Sequence, residues 1–233
     1  MPRAITEIVG PPGVGKTQFS MMVSVLAIRQ AASRSKGEPY GVIYIDTEAG
    51  FRPDRVDQIA GILFPSRMDS IGNHLHYFQV SSSSELMTVL EQLEALIIEA
   101  GVNLVVLDSA AALVRKEYGR ETIVQRQRLL ARQAALLKRL ADIFSIPVVV
   151  TNQMVMSRHA IPLRSANGED SDHEHVLSAA LGNTWAHCVN TRLELQRDSR
   201  GNRRICIAKS PISPPDSFPV ELTQGGLVQQ SDM

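Results

Sequence analysis

The stretch that most restricts the fold of this chain is residues 10–17, with the sequence GPPGVGKT. It fits the phosphate-loop pattern G-x-x-x-x-G-K-[ST] at every required position. Residues 5–9 precede it as a short predicted strand, and the residues from Lys16 onward have the spacing of a helix. Because a strand, a glycine-rich turn and a helix in that order form a phosphate-binding loop, the sequence predicts a nucleoside triphosphate site in an α/β fold.

The loop residues have separate expected roles toward the nucleotide. The glycines allow a tight turn in which backbone N–H groups point at the phosphates, and the start of the following helix adds a positive field. Lys16 is expected to reach the β and γ phosphate oxygens, and the Thr17 hydroxyl to bind Mg²⁺. The predicted phosphate-binding set is Gly10, Pro11, Pro12, Gly13, Val14, Gly15, Lys16 and Thr17.

Length and charge exclude several classes of protein. At 233 residues the chain suits one α/β domain with a good core, and the 24 basic residues balance the 24 acidic ones. Zero net charge gives no global attraction to nucleic acid or to an anionic membrane, so any DNA binding must come from a local patch. No apolar run has the length of a membrane span, and the first residues lack a signal-peptide pattern, which predicts a soluble intracellular protein.

Two buried strands are predicted to end in carboxylates. Residues 41–46 form an apolar run that leads to Glu48, and residues 104–107 form another that leads directly to Asp108. In an open parallel sheet, ligands collect at the carboxyl ends of strands. Glu48 there could orient and deprotonate the water that attacks a γ-phosphate, or it could be a helix-capping or solvated acid. Asp108 after a phosphate loop indicates a group that holds Mg²⁺ directly or through water.

A basic segment follows the second of these strands. Between Arg115 and Arg139 the sequence has eight basic residues and two acidic ones, with Arg120 in a predicted loop and an amphipathic helix beyond it. One interpretation is the solvated face of a helix. The other is a surface that follows a nucleic-acid phosphate backbone.

The last third of the chain predicts one more buried strand, a long loop and a hairpin. Gln153 follows the strand at 147–151, where it could sense a γ-phosphate or simply cap the strand. Residues 154–180 have no period and carry the acidic run 169–175, which predicts a mobile solvated loop in preference to a metal site. Alternating residues at 191–196 and 204–208 predict a hairpin on the sheet edge, and the proline-rich residues 209–215 predict an exposed segment.

These motifs, in this order and spacing, resemble the ATPase core of the RecA-family recombinases. The resemblance covers essentially the whole chain, and residues 180–185, 189–193 and 208–211 resemble the B-type branch of the eukaryotic recombinase paralogues most. The resemblance implies a RecA-like core over residues 1–233, with a mostly parallel central sheet, flanking helices and a C-terminal antiparallel hairpin. The family's N-terminal helical domain and linker are expected to be absent.

The resemblance also assigns roles by position and makes the nucleotide ATP. It implies catalytic roles for Glu48, Lys16 and Gln153, Mg²⁺ binding by Thr17 and Asp108, and nucleotide contacts from Gln18 and from Arg55, which stacks on adenine. It implies DNA contacts from Arg115, Arg120 and Arg126, with a second DNA loop at 154–180. Residues from Lys209 to Pro214 match the segment that a neighbouring subunit lays over the nucleotide.

Three departures from the family pattern shape the expected function. The second loop is acidic, which argues against autonomous DNA pairing, and Lys209 stands where related recombinases often have an acid, which implies a different interface chemistry. The N-terminal domain and linker are expected to be absent, so a homopolymeric filament is not expected from this chain alone. The resemblance implies a nuclear, slowly ATP-hydrolysing paralogue that assembles with other RecA-family subunits and DNA, single-stranded or branched, in homologous-recombination repair of double-strand breaks. The alternatives are an autonomous strand-exchange ATPase and a phosphate-loop kinase, whose arginine-bearing lid the sequence lacks.

Overall fold

The computed structural model of the protein describes residues 4–32, 41–65, 71–156, 177–179 and 181–230. The strands are β1 (Ile5–Gly10), β2 (Gly41–Asp46), β3 (Leu75–Gln79), β4 (Val102–Asp108), β5 (Val148–Met156), β6 (Leu177–Ala179), β7 (Thr191–Arg197), β8 (Arg203–Lys209), β9 (Ser217–Thr223) and β10 (Gly226–Gln229). The α-helices are α1 (Lys16–Ala32), α2 (Pro53–Leu63), α3 (Ser83–Ala100), α4 (Ala112–Glu117), α5 (Ile123–Phe144) and α6 (Gly182–Cys188).

Nine of these strands form one continuous sheet in the order β10-β9-β8-β7-β1-β5-β4-β2-β3, and β6 pairs with β5 outside that path. The strands from β7 to β3 in this order are all parallel, whereas β8, β9 and β10 add antiparallel pairs. Parallel strands joined through helices are buried on both faces. The predicted α/β fold, with a mostly parallel sheet and antiparallel strands at its C-terminal end, is confirmed.

Alternation along the strands divides the core into two apolar clusters, one on each face of the sheet. In β2, Ile43 and Ile45 belong to the cluster that contains residues of α3 and α5, whereas Val42 and Tyr44 belong to the one that contains residues of α1 and α2. All six residues of β2 are buried, which explains its continuous apolar sequence. The helices therefore cover both faces and leave the strand ends to form a site.

Helix ends follow the signals in the sequence. Pro53 occupies the first turn of α2, where a missing N–H costs nothing. The Ser82 hydroxyl accepts the Glu85 N–H at the start of α3, and Gly101 ends that helix in the left-handed conformation. These boundaries are the ones that proline, capping and glycine signals favour. Among the described residues, no helix is both long enough and apolar enough to cross a bilayer.

The structure corrects the expected C-terminal end of the sheet. The hairpin is present as β7 and β8, but β7 also pairs in parallel with β1 and so lies inside the sheet. The sheet then continues beyond the proline-rich residues 209–215 through β9 and β10, two strands that were not predicted. Pro219 lies within β9, where its carbonyl accepts the Gln230 N–H at 3.0 Å. The edge strand at this end is therefore β10.

Two predicted loops also contain regular structure. β5 continues to Met156 and pairs antiparallel with β6, so the ends of the loop expected at 154–180 are strands. These residues form strands instead of a loop because the mostly apolar segments 154–156 and 177–179 pair with each other in register. Residues 157–176, with the acidic run 169–175, lie outside the described residues. Arg120 begins a short 3-10 helix, Arg120–Thr122, instead of lying in a loop.

Candidate nucleotide site

The phosphate loop connects β1 to α1 as its sequence requires. Gly13 and Gly15 have φ angles of 74° and 116°, in the region that side chains with a Cβ rarely adopt. Val14 between them is 1% exposed and packs into the core, which fixes the loop from below. The outer part of the loop remains at the surface, with Pro12 exposed. The loop is therefore anchored by one apolar side chain while its turn stays open to a ligand.

Lys16 lies at the centre of the charged groups of the site. Its Nζ donates to the carbonyl oxygens of Gly10 at 2.9 Å and Pro11 at 3.0 Å. Burial lowers the pKa of Lys16; the charges of Glu48 and Asp108 raise it, and the charge of Arg115 lowers it. The Lys16 ammonium and the carboxylates of Glu48 and Asp108 thus lie near one another at the phosphate loop. They come from the start of α1, the residues after β2 and the end of β4.

Asp108 ends β4 as a buried carboxylate that hydroxyl groups surround. Tyr44 donates to its Oδ2 at 2.8 Å, Thr151 donates to its Oδ1, and the Thr17 side chain also hydrogen bonds to it. Burial raises the pKa of Asp108, and these hydrogen bonds oppose that rise. Thr17 and Asp108, the two predicted Mg²⁺ residues, are thus neighbours at the end of β4.

Glu48, two residues after β2, also contacts Gln153 of β5. The Gln153 Nε2 donates to the two carboxylate oxygens of Glu48 at 3.2 and 3.4 Å, and the Ser109 hydroxyl donates to Glu48 Oε1 at 2.5 Å. Glu48 is exposed, so its carboxylate faces solvent above the strand ends. A solvent-facing carboxylate in this position can accept a proton from a water molecule within hydrogen-bond reach.

Gln18, at the start of α1, and Arg55, in the first turn of α2, contact each other. Arg55 Nε donates to Gln18 Oε1 at 2.6 Å, and its terminal nitrogens donate to the carbonyl oxygens of Thr223 and Gln224, both at 2.7 Å. Arg55 also contacts Gln58. The Arg55 guanidinium, which is expected beside adenine, is therefore fixed by Gln18 and by the turn between β9 and β10.

The C-terminal strands support the phosphate loop, a relationship that sequence reasoning missed. Arg203 of β8 donates from Nε to the carbonyl oxygen of Val14 at 3.2 Å. A Cβ added at Gly15 would lie 3.7 Å from Leu227 of β10, so that strand packs beside the turn. The sequence signal for these contacts is weak because more than 180 residues separate the partners.

Glu7 is a second functional candidate that sequence reasoning missed. It is fully buried in β1, three residues before the phosphate loop, and its carboxylate accepts hydrogen bonds from Asn152, Trp185 and Arg192. Asn152 directly precedes Gln153, and its Oδ1 accepts the Gln153 N–H at 2.8 Å. A charged residue in an otherwise apolar strand is the signal that could have found it.

The predicted DNA-contact arginines lie on three successive elements. Arg115 is exposed in the last turn of α4, within electrostatic range of Lys16. Arg126 lies half-buried in the first turn of α5, and the backbone of Arg120 opens the 3-10 helix between these two helices. Farther along α5, Arg132 and Arg139 form ion pairs with Glu91 at 2.5 Å and Glu94 at 3.4 Å. That part of the basic segment is a helix face in contact with α3.

The predicted interface residues lie at the far end of β8. Lys209 Nζ donates to the carbonyl oxygens of Ala186 at 3.0 Å and Val189 at 2.5 Å, which places its ammonium at the C-terminal end of α6. Pro214 is exposed in the segment before β9. Within the single chain, Lys209 thus contacts its own helix, and Pro214 is accessible to a neighbour.

The residues present fit Mg²⁺ and a triphosphate. Mg²⁺ is bound in such sites by few protein groups and keeps water and phosphate oxygens as its other ligands. The Thr17 hydroxyl and the Asp108 carboxylate supply two adjacent oxygens of this kind. Across the described part of the chain there is no group of three or more His, Cys, Asp or Glu residues that could hold a metal alone. The chemistry of the donor set therefore suits a metal that arrives with phosphate.

Comparison with known proteins gives a consistent result. The family model described as Rad51 matches residues 1–230. "DNA repair protein RAD51 homolog 2" from Homo sapiens is 39% identical over 246 residues, and the Mus musculus protein of the same name is 40% identical over 246 residues. The Arabidopsis thaliana protein of that name is 35% identical over 243 residues. The matches cover 97 or 98% of this chain but 64% of the human, 70% of the mouse and 64% of the Arabidopsis protein.

Proposed function

Because this chain belongs to the Rad51 family, we propose that it is an ATP-binding recombinase paralogue that assembles with other subunits of the family and hydrolyses ATP slowly. The observation that carries this proposal is the meeting of Lys16, Thr17, Asp108, Glu48 and Gln153 at the carboxyl ends of neighbouring parallel strands. Phosphoryl transfer to water needs a cation, a metal-binding acid and a water-orienting carboxylate in one place.

The chemistry follows from what each side chain can do. The Lys16 ammonium would leave the carbonyl oxygens of Gly10 and Pro11 and neutralise charge on the phosphates. When bound, Mg²⁺ would supply further charge neutralisation beside Thr17 and Asp108. Glu48 would orient the attacking water and accept its proton. The Gln153 amide, which bonds to Glu48, would turn toward the γ-phosphate and so report its presence to β5.

The cellular role is proposed from the relatives. The human, mouse and Arabidopsis proteins carry the name DNA repair protein, and a shared family supports a role in homologous-recombination repair of double-strand breaks for this chain too. Such a role implies DNA, single-stranded or branched, and other RecA-family subunits as partners, and it implies the nucleus as the location. Arg115, Arg120, Arg126, Lys209 and Pro214 remain the proposed DNA and interface residues.

The central experiment separates binding from hydrolysis. Lys16→Ala should lose binding of a fluorescent ATP analogue, and Glu48→Gln should keep that binding while turnover falls by about 10²-fold or more. ATP-dependent capture of a co-expressed family subunit should be lost in Lys16→Ala and kept in Glu48→Gln. Intact capture without nucleotide would contradict the role of ATP in assembly, and unchanged turnover in Glu48→Gln would contradict the assigned base.

The proposed DNA contacts can be tested against a control on the same helix. Arg120→Ala and Arg126→Ala should reduce the stimulation of ATP turnover by single-stranded DNA and flatten its salt dependence. Arg132→Ala removes the same charge from α5 but breaks only the pair with Glu91, so it should leave the stimulation unchanged. Turnover that does not respond to DNA in the parent protein would overturn the DNA-dependent part of the proposal.

A further inference from the structure

The loop that carries Glu48 closes on a buried acid, Asp46, at the end of β2. Asp46 Oδ1 accepts the Glu48 N–H at 3.0 Å, and Oδ2 accepts the Phe51 N–H at 2.9 Å. Asp46 is fully buried, so both bonds form away from competing water. Charge-assisted hydrogen bonds of this kind are about twice as strong as neutral ones. One carboxylate thus ties together both ends of the turn between β2 and α2.

Tyr77 on the neighbouring strand β3 holds the same carboxylate from its other side. Its hydroxyl donates to Asp46 Oδ2 at 3.2 Å, and its ring stacks on Phe51 with centroids 4.6 Å apart at 26°. Burial and the Asp46 charge raise the pKa of Tyr77, which keeps the hydroxyl protonated and able to donate. Tyr77 therefore fixes both Asp46 and Phe51, which lies two residues before α2.

The aromatic contacts continue from Phe51 to the Mg²⁺ side of the site. The rings of Phe51 and Tyr44 lie 4.8 Å apart at 54°, and Tyr44 donates to Asp108 Oδ2. The far side of the loop is tied to β4 as well, because the Thr47 N–H donates to the Asp108 carbonyl oxygen at 2.8 Å. A displacement of Phe51 would thus be transmitted to both acids of the site.

The loop needs this support because its backbone is strained. Ala49, next to Glu48, has a φ angle of 55°, in the left-handed region. That conformation costs a residue with a Cβ about 1–2 kcal/mol. Asp46 supplies hydrogen bonds on both sides of Ala49 that oppose this cost. Without them, the turn would relax and carry Glu48 away from its position.

We propose that Asp46 and Tyr77 are positioning residues that set the location of the Glu48 carboxylate for water activation. They act through the backbone of residues 47–51 and not on the reacting atoms. The inference rests on the proposed ATP hydrolysis, for which a misplacement of about 1 Å can cost about 10²-fold in rate. It predicts a loss in kcat with little change in nucleotide affinity.

The test compares Tyr77→Phe, Asp46→Asn and Glu48→Gln in the intact chain, with Tyr118→Phe as the matched control. Tyr77→Phe keeps the ring stacked on Phe51 and deletes only the hydroxyl. Tyr118→Phe deletes a hydroxyl that has no hydrogen bond among the described residues. We expect kcat to fall by about 10-fold in Tyr77→Phe and by about 10²-fold in Asp46→Asn. Affinity for a fluorescent ATP analogue should stay within about twofold in both variants, and Tyr118→Phe should match the parent.

The outcomes distinguish this inference from the function on which it rests. If the parent protein and Glu48→Gln hydrolyse ATP equally, the assignment of Glu48 fails. If Glu48→Gln is inactive while Tyr77→Phe and Asp46→Asn have the kcat of the parent, the positioning role fails and the proposed function stands. A fall in kcat accompanied by an equal loss of nucleotide affinity and a lower unfolding temperature would also overturn it, because that pattern indicates a purely structural role.

Discussion

The Arg192 Nε–H donates to Oε2 of Glu7 at 2.7 Å, so a fully buried carboxylate in the strand that leads to the phosphate loop is neutralised by an ion pair. Its Oε1 accepts Asn152 Nδ2 at 2.7 Å and Trp185 Nε1 at 2.8 Å. The donors come from β5, α6 and β7, which all meet β1 at this point. The charge is thus completely partnered, and it joins the strand before the phosphate loop to the strand that carries Gln153.

Removing Glu7 should destabilise the fold strongly. Glu7→Ala would leave the Arg192 guanidinium in a largely buried position without its counter-charge, and breaking a buried pair in this way costs about 3–5 kcal/mol. Urea unfolding followed by circular dichroism measures the change. Glu221→Gln, on an exposed position of β9, is the control and should stay within about 0.5 kcal/mol of the parent. Equal midpoints for Glu7→Ala and the control would contradict the structural role of this pair.

The local features of this fold could be predicted from the sequence because they depend on neighbouring residues. The phosphate loop, the Pro53 start of α2 and the Ser82 cap of α3 are each decided within a few positions. The acids at the carboxyl ends of β2 and β4 could be predicted too, since apolar runs lead to Glu48 and Asp108. The family match confirms the resemblance to RecA-family recombinases, and relatives named RAD51 homolog 2 agree with its B-type assignment. The roles of the individual site residues stay predictions.

The features that the sequence did not predict depend on distant partners. β7 pairs in parallel with β1, which lies about 185 residues earlier in the sequence. The alternating pattern of β7 does not distinguish a strand inside the sheet from one at its edge. β9 contains Pro219 and was not predicted, yet antiparallel neighbours on both sides hold that strand. Asp46 and Tyr77 were overlooked for the same reason, because their contact requires the register of β2 against β3. Contacts between strands follow from register, which a single sequence specifies poorly.

Gln133 is a point at which the protein can be stabilised. It is fully buried on α5, and neither Oε1 nor Nε2 of its amide has a hydrogen-bond partner among the described residues. An unsatisfied buried polar group costs about 1–3 kcal/mol, so Gln133→Leu should raise the free energy of unfolding by an amount in that range. Thermal unfolding measures it, with the exposed Gln127→Leu as control. A lower unfolding temperature for Gln133→Leu than for the parent would show that the amide is bonded in solution.

The turn between β7 and β8 should make stability depend on acid pH. The hydrogen bond from the Asn202 side chain, with the backbone N–H groups of Asn202 and Arg200, lowers the pKa of Asp198 below its ordinary 3.8. Because the folded state favours the carboxylate, this stabilisation is present above pH 3.8 and is lost as the pH falls below it. The free energies of unfolding of the parent and of Asp198→Asn should differ at pH 6, and the difference should shrink as the pH falls below 3.8.

Lys209 offers a choice between two roles that one experiment can separate. Its ammonium donates to the carbonyl oxygens of Ala186 and Val189, the groups that the end of α6 leaves unpaired. If this contact is its role, Lys209→Met should lower the free energy of unfolding by about 1 kcal/mol, given its exposure, and leave ATP-dependent assembly unchanged. Lys138→Met, an exposed lysine of α5, is the control for lost charge. Unchanged stability together with lost assembly would instead place the ammonium over a neighbour's nucleotide, because only a contact between subunits would then depend on it.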